Sequence, residues 1–480
     1  MNKQSLFPIK QTKIIATIGP ATSSPEMLEQ LLLAGMNVVR INSSHGDHVA
    51  HKEVITNIRK LDTDLNTNTA ILIDLQGPKL RVGEIAGGQT ELVESNQLVI
   101  KVGTGEGSSS VLYTDYEQFA EDVKAGEPIL LDDGKLRLEV ISSDGKSEVI
   151  CKVIHGGNLS SRKGLNLPQT KISLPCITKK DEKDLAFALE ENVDWIGLSF
   201  VRSASDINAL KGIIKKNKKH ARVVAKIEKP EAITDLDAIL EAADAVMIAR
   251  GDLGVEVPMQ DVPLIQKDII SKCLTLGRPV IVATQMMESM IESATPTRAE
   301  VNDVANAVLD GTDAVMLSAE TSVGKYPIHA VRAMTQIIHS MEANNQKPFN
   351  ERPPYNPDDD RFVSDSICYN ACRLARRTKA SAIVTMTYSG YTAQKVSSQR
   401  PKATIFMFTS NREVLNQMNL VWGVKTVFYE KMVSTDHTIA DIKYLLFKDG
   451  NVKEGDFVIH LASMPIADTG MTNMLKLVRV

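Results

Sequence analysis

Eight short runs of β-branched and other apolar residues recur along the chain, each followed by a stretch with helical spacing. They are 13–19 KIIATIG, 36–42 MNVVRIN, 69–75 TAILIDL, 194–200 DWIGLSF, 222–228 RVVAKIE, 245–250 AVMIAR, 279–286 PVIVATQM and 314–320 AVMLSAE. Near-continuous apolar strands are those of a parallel sheet covered by helices on both faces. Eight strand–helix units predict a closed (β/α)8 barrel. The intervening helices carry the expected punctuation: residues 25–34, PEMLEQLLLA, have Pro in the first turn and stop before Gly35.

The spacing breaks twice. Between residues 75 and 194 the pattern turns to short alternating runs, such as 136–142 LRLEVIS and 147–154 SEVICKVI, with Asp133-Gly134 and Asp144-Gly145 as turn pairs. Asp-Gly between alternating runs is a strong hairpin signal. An all-β domain over 76–171 is therefore expected between the third and fourth barrel strands, with 172–193 supplying the next helix. A second boundary falls at 343–361, ANNQKPFNERPPYNPDDDR, rich in Pro, Asn and Asp. Beyond it a helix at about 362–379 and strands at 381–387, 404–410, 424–429, 456–463 and 475–480 predict a separate α/β domain. The division is then 1–75 with 172–343 for the barrel, 76–171 for the insertion and 344–480 for the last domain.

In such a barrel the active site lies at the carboxyl ends of the strands. The runs end in Arg40, Asn42 and Ser44; Asp74; Ser199; Lys226 and Glu228; Arg250, Gly251 and Asp252; Thr284 and Gln285; Ser318 and Glu320. Side chains at i and i+2 share a face of a strand. Lys226 with Glu228, Arg40 with Asn42, and Ser318 with Glu320 are thus expected to point together into the mouth. Solvent at a barrel rim accounts for one or two such residues. It does not account for charge inside VVAKIE or VVRIN, because an unpaired buried charge costs several kcal/mol.

The mixture of charges points to a chemistry. Glu228 and Asp252 are hard oxygen ligands suited to Mg²⁺. Arg40 and Lys226 are donors for a phosphate. Gly251 precedes Asp252 at a strand-to-helix turn, where free amides bind an anion such as a carboxylate. Together they suggest phosphoryl transfer involving a small phosphorylated acid.

Composition narrows the field. The chain has 480 residues with Lys plus Arg 55, Asp plus Glu 59 and a net charge of -4. That near-balance argues against a dedicated nucleic-acid binder. Five cysteines, Cys151, Cys176, Cys273, Cys368 and Cys372, read as reduced structural thiols. The start MNKQSLFPIKQTK lacks the apolar core of a signal peptide, and no apolar run spans a bilayer, so a cytoplasmic protein with no membrane contact is expected.

Residues 284–320, TQMMESMIESATPTRAEVNDVANAVLDGTDAVMLSAE, resemble the signature block of the pyruvate kinase family. KIIATIGPAT (13–22), VVRINSSHG (38–46), DLQGPKLR (74–81), AKIEKPEA (225–232) and ARGDLGVEV (249–257) resemble it as well, in family order along essentially the whole chain. The resemblance implies a TIM barrel with an inserted small β-barrel lid and a C-terminal α/β regulatory domain, assembled as a homotetramer. It implies transfer of the phosphoryl group of phosphoenolpyruvate to ADP, giving pyruvate and ATP, the last step of glycolysis.

By the same resemblance Glu228 and Asp252 hold Mg²⁺, and Mn²⁺ accepts the same ligands. Lys226 and Arg40 hold the migrating phosphoryl group, with Ser199 in the substrate site. Gly251, Asp252 and Thr284 bind the carboxylate. A water chain near Thr284, Ser318 and Glu320 protonates the enolate. Arg81, Lys163, Asn42 and His45 match positions at the nucleotide, and the inserted domain closes as a lid that excludes water.

Two features depart from the family pattern. Its K⁺ site uses the positions of Asn42, Ser44, Asp74 and Leu75, and K⁺-dependent members carry Thr at Leu75 and Glu at Lys79. Here the Lys79 ammonium stands in for K⁺, so activity without K⁺ is expected. Residues 385–392, TMTYSGYT, resemble the phosphate-binding loop of the C-terminal domain, with Thr385, Thr387, Ser389, Gly390 and Thr392 as candidate effector contacts. The later loop 462–472, ASMPIADTGMT, lacks the Trp and Arg that members using fructose 1,6-bisphosphate often show. A sugar monophosphate or AMP-type effector is therefore expected.

Other signals read as structural. His45, His48 and His51 mark a solvated helix start, GTGEG at 103–107 a hairpin loop without the P-loop Lys, and Met286, Met287 and Met290 core packing. A metal-dependent lyase of 2-keto acids and a non-enzymatic effector-binding barrel are the competing readings. The nucleotide positions Arg81 and Lys163 argue against the first, and intact Lys226, Glu228, Asp252 and Thr284 against the second.

Overall fold

The computed structural model describes residues 10–344, 351–431, 434–465 and 470–480. Its parallel strands β1 (Lys13–Thr17), β2 (Val38–Asn42), β3 (Ala70–Asp74), β4 (Trp195–Leu198), β5 (Arg222–Ile227), β6 (Ala245–Ala249), β7 (Val280–Ala283) and β8 (Ala314–Leu317) close into a barrel in the order β1-β8-β7-β6-β5-β4-β3-β2. Alternate residues divide between two cores. Ile15, Val38, Leu72, Trp195, Val224, Met247, Ile281 and Met316 fill the interior, while Ile14, Val39, Ile71, Ile196, Val223, Val246, Val280 and Val315 pack outward under the helices. Burial on both faces is why the strands are apolar along most of their length, the charges of Arg40, Asp74 and Lys226 falling toward their carboxyl ends. Helix Pro25–Ala34 begins under a Ser24 cap and ends on Gly35 at φ 122, a backbone angle glycine tolerates.

Several strands are shorter than their apolar runs. β7 stops at Ala283 and β8 at Leu317, and Arg250 opens a helix, Arg250–Glu256. Phe200, Thr284 and Gln285 take left-handed backbone angles, φ 55, 69 and 54, which strands do not accommodate. The chain therefore turns away at the mouth earlier than apolar content alone suggests.

The insertion enters after β3. Strands Leu136–Ser143 and Glu148–His155 pair antiparallel across Asp144-Gly145, and Pro128–Leu131 pairs with the first of them across Asp133-Gly134. They belong to a six-stranded sheet with one apolar core that includes Leu98, Ile100, Phe119, Leu138 and Val153. Arg81 bridges Gly164 on one side, next to strand Leu165–Asn166, and Val82 bridges Thr114 on the other. The two edges of the sheet meet through this segment. GTGEG is a correction: strands Gln97–Val102 and Val111–Thr114 pair parallel, so their loop is not a hairpin turn. It crosses over, held by a bridge from Gly107 to Ile85.

The last domain has helix Phe362–Thr378 and strands β9 (Ala382–Met386), β10 (Thr404–Thr409), β11 (Val424–Phe428), β12 (Phe457–Ala462) and β13 (Met474–Arg479), in the order β11-β10-β9-β12-β13. All pair parallel except β13. This domain attaches to the amino ends of the barrel strands: Lys13 Nζ donates to Val424 O (2.9 Å), Arg222 to Ser389 O (2.8 Å) and Arg400 to Asp313 (2.8 Å). The barrel mouth is left to the insertion. All five cysteines are free and buried. No helix among the described residues is long and apolar enough to cross a membrane.

Candidate active site at the barrel mouth

Asp74, the last residue of β3, is the hub of the mouth. Its Oδ2 accepts Arg40 Nε (2.8 Å) and Nη2 (2.7 Å), and its Oδ1 lies 3.2 Å from Lys226 Nζ. Arg40 Nη1 also donates to Thr17 Oγ1 (2.9 Å). Lys226 continues to Ser199 Oγ (2.7 Å) and Glu228 Oε1 (2.9 Å). Two cations with side chains only about a tenth exposed are thus held in fixed positions by a carboxylate that is 1% exposed. Burial opposes charge on Asp74, but Lys226 and Arg40 outweigh it and hold its carboxyl below the ordinary range. Burial likewise opposes charge on Lys226, and Asp74 with Glu228 outweighs that, raising its pKa. The site is dense: a Cβ on Gly197 of β4 would stand 3.0 Å from Asp74 Oδ1, a tight contact.

Glu228 lies just past β5, with Oε2 accepting the Phe200 amide at 2.8 Å. Burial and the charge of Asp252 push its carboxyl up, against the pull of Lys226. Lys79, at the entrance to the insertion, reaches Asp252 Oδ1 at 3.4 Å. No group of three or more His, Cys, Asp or Glu side chains that could hold a metal occurs among the described residues. Glu228 and Asp252 still suit Mg²⁺: both are hard oxygen donors, each repels the other's charge, and a Mg²⁺ shell keeps sites for waters and substrate oxygens.

The Gly251 amide donates to Thr284 Oγ1 at 2.8 Å, and a Cβ on Gly251 would come within 3.3 Å of that oxygen. Thr284 is β-branched yet sits at φ 69, a strained backbone. Arg250 holds its carbonyl (2.8 Å) and is itself paired with Asp303 (2.7 Å). Ser318 and Glu320 do not project together as strand neighbours. Beyond β8 the chain turns into a short helix, Ala319–Ser322, and the Glu320 carboxylate accepts the amides of Ser318 (2.7 Å) and Met287 (3.2 Å). Burial pushes that carboxyl up, offset in part by the amides.

The remaining positions separate. Asn42 Oδ1 accepts the Ser44 amide at 3.1 Å, and His45 lies in the same turn, its carbonyl facing His51 Nε2 at 2.9 Å. Leu75 is buried and offers its carbonyl to Ser199 Oγ at 2.6 Å. Arg81 donates to Arg162 O (2.9 Å), and Lys163 pairs with Asp132 (2.8 Å), which its hydrogen bond holds below the ordinary range. Helix His48–Leu65 starts one residue past its Asp47 cap, so His45 lies outside it; His48 meets Asp184 at 2.8 Å. Met286, Met287 and Met290 are core residues. In the C-terminal loop, Thr387 Oγ1 accepts the Gly390 amide (3.2 Å), Ser389 Oγ accepts that of Tyr391 (3.4 Å), Thr392 meets Thr472 (2.7 Å), and Thr385 Oγ1 is buried without a hydrogen-bond partner among the described residues. Part of the later loop, 466–469, lies outside the described residues.

Sequence reasoning did not single out Thr17, Asn166, Lys229, Glu256 or Asp303. Lys229 and Glu256 lie inside the stretches AKIEKPEA (225–232) and ARGDLGVEV (249–257), which was a signal available for them.

Cations anchored opposite hard oxygen donors, at the mouth of a parallel barrel beneath an inserted domain, define a phosphotransferase. Comparison with known proteins agrees. The family described as "Pyruvate kinase, barrel domain" matches residues 9–331, and "Pyruvate kinase, alpha/beta domain" matches 365–478. The chain belongs to the pyruvate kinase family. It is 43% identical over 471 residues to a pyruvate kinase of Geobacillus stearothermophilus, covering 97% of this chain and 80% of that one. It is 42% identical over 472 residues to that of Staphylococcus aureus (strain MRSA252), covering 98% and 80%. The crystal structure of a pyruvate kinase from Cryptosporidium parvum superposes with a TM-score of 0.92 at 34% identity, covering 100% of this chain and 99% of the other.

Proposed function

We propose that Arg40, Lys226, Glu228, Asp252 and Thr284 carry the chemistry of this chain. As a member of its family, the chain transfers the phosphoryl group of phosphoenolpyruvate to ADP, giving pyruvate and ATP. The contact chain Arg40–Asp74–Lys226–Glu228 supports the assignment most directly. Arg40 and Lys226 are positioned before substrate arrives, so they stabilise phosphoryl charge with little reorganisation. Ser199 orients Lys226. The substrate carboxylate takes the amides of Gly251 and Asp252, displacing the Thr284 hydroxyl as acceptor for Gly251. Thr284 then donates to the carboxylate.

The family carries a divalent-metal requirement. Glu228 and Asp252 would hold Mg²⁺, with Mn²⁺ as a substitute, and the ion would neutralise charge on the phosphoryl and enolate oxygens. Water near Thr284 and Ser318 protonates the enolate, while Glu320 shapes the loop through the Ser318 and Met287 amides. Arg81, Lys163, Asn42 and His45 receive the nucleotide, and the inserted domain closes over it. Lys79 makes K⁺ dispensable. The loop with Thr385, Thr387, Ser389, Gly390 and Thr392 takes a sugar monophosphate or AMP-type effector. The protein works as a cytoplasmic homotetramer, without nucleic-acid or membrane partners.

The test is ADP-dependent pyruvate release from phosphoenolpyruvate with Mg²⁺. Wild type releases pyruvate, and Lys226→Met lowers kcat by at least about 10²-fold, the scale for losing one preorganised charge-stabilising group. No release by wild type rejects the function; an unimpaired Lys226→Met rejects the role of Lys226.

A further inference from the structure

Three elements of different origin converge on one buried carboxylate behind the mouth. Glu256 ends the short helix that carries Asp252, one turn further along. Its Oε1 takes Lys229 Nζ at 2.7 Å and Asn166 Nδ2 at 2.8 Å. Lys229 is the residue after Glu228. Asn166 belongs to the inserted domain, on strand Leu165–Asn166, which pairs with Leu130–Leu131 of its sheet. The Glu256 and Lys229 side chains are 1% and 8% exposed, and Glu256 Oε2 is buried with no hydrogen-bond partner among the described residues. Lys229 also lies over the Phe200 ring at 5.9 Å, and the Phe200 amide holds Glu228.

These contacts adjoin both crossings between insertion and barrel. Lys79 pairs with Asp252 on the way in. On the way out, Arg202 holds the carbonyls of Ile172 (2.6 Å) and Leu174 (2.7 Å). Lys79, Asn166, Ile172, Phe200, Arg202 and Lys229 line one cleft between the two bodies.

We propose that Glu256 is a positioning residue that couples the seating of the inserted domain to the placement of Glu228 and Asp252, with Asn166 as its contact on the lid. The inference rests on the reading of Glu228 and Asp252 as divalent-ion ligands. Its physical basis is that one oxygen serves both partners. When the lid lifts, Oε1 loses the amide, and a carboxylate buried with one orphan oxygen is left with Lys229 alone. The Lys229–Glu256 pair shifts in response, and Glu228 and Asp252 sit on the same two backbone segments. A seated lid therefore favours the ligand geometry, and a filled site favours a seated lid, as linkage requires.

Asn166→Ala is the decisive variant, because it removes the lid contact and leaves the buried ion pair intact; Glu256→Gln, which strips charge from beside Lys229, is the harsher companion. Both are made in the full chain, with thermal unfolding as a folding control. Amide hydrogen exchange without metal is expected to quicken at least fivefold over 78–82 and 165–174 in Asn166→Ala, and to stay unchanged over 382–386. Mn²⁺ binding, titrated without substrate, is expected to weaken at least threefold, and KM for ADP to rise more than kcat falls. Wild-type exchange over both hinge segments overturns the strap. Faster exchange with wild-type Mn²⁺ affinity overturns the coupling. A wild-type chain that binds no Mn²⁺ overturns the ligand reading and the coupling with it, while the exchange data still decide whether Glu256 straps the lid.

Discussion

Lys79 Nζ stands 3.4 Å from Asp252 Oδ1, so the first turn of the inserted domain delivers a fixed positive charge to the helix opposite. The pair is about a third exposed, which makes it a weak contributor to stability. Its consequence is electrostatic: a positive charge is supplied by the chain itself. Replacing K⁺ by tetramethylammonium is expected to leave pyruvate release within about twofold of its value in K⁺. Lys79→Glu is expected to lower the rate without K⁺ by at least about tenfold, the effect of roughly 1.4 kcal/mol in a barrier, with K⁺ restoring part of it. Collapse of the wild-type rate in the organic cation refutes the substitution.

Asp74 holds Arg40 and Lys226 at once, and removing its charge takes the carboxylate partner from buried Arg40 and leaves Lys226 with Glu228. Breaking a buried pair costs about 3–5 kcal/mol, so Asp74→Asn is expected to lose that much in urea unfolding. The sign with pH follows from its depressed carboxyl. The stabilisation is complete above the ordinary carboxylate value near pH 4 and is lost as pH falls through the lower folded-state value. Asp74→Asn is expected to flatten that acid limb; an unchanged limb assigns it to other carboxylates.

Thr284 combines a left-handed backbone with a hydroxyl that accepts the Gly251 amide. Thr284→Ser keeps the hydroxyl and removes the β-branch that makes φ 69 costly. It is expected to retain kcat within about threefold, whereas Thr284→Ala falls by about 10²-fold, the scale for a lost oriented donor. Equal effects of the two variants in steady-state kinetics dismiss the hydroxyl.

His460 on β12 is fully buried, and neither ring nitrogen has a hydrogen-bond partner among the described residues. Its cross-strand neighbours are Val384 and Lys476. Burial, with the charges of Lys476 and Lys443, lowers its pKa from 6.5 to about 4. The unfolded chain takes up the proton first, so stability falls as pH drops from about 6.5 and levels off below about 4. The total loss is about 3 kcal/mol. His460→Leu is expected to abolish this loss and to stabilise the C-terminal domain by about 1 kcal/mol or more at pH 7, since it removes two unsatisfied buried polar atoms. Urea unfolding at pH 7 and pH 5 checks both; a variant less stable than wild type at both values disproves the account.

The apolar runs, the turn pairs and the helix punctuation determined the barrel, the all-β insertion and the last α/β domain. These signals are local, and burial on both faces imposes them on every barrel strand. The same runs named Arg40, Asp74, Lys226 and Glu228, because charge inside an apolar strand has few places to go except a site. Tertiary structure alone decided the rest. Left-handed residues Thr284 and Gln285 ended β7 early, and the turn of the chain into helix Ala319–Ser322 after β8 folded Glu320 onto the Ser318 amide, out of step with strand alternation. Asp74 became the hub because residues 34 and 152 positions away close on it. Asn166 met Glu256 across 90 residues, and His460 was buried with no hydrogen-bond partner among the described residues. Partners so distant in the chain are chosen by the three-dimensional closure of barrel and insertion, and no periodicity records it.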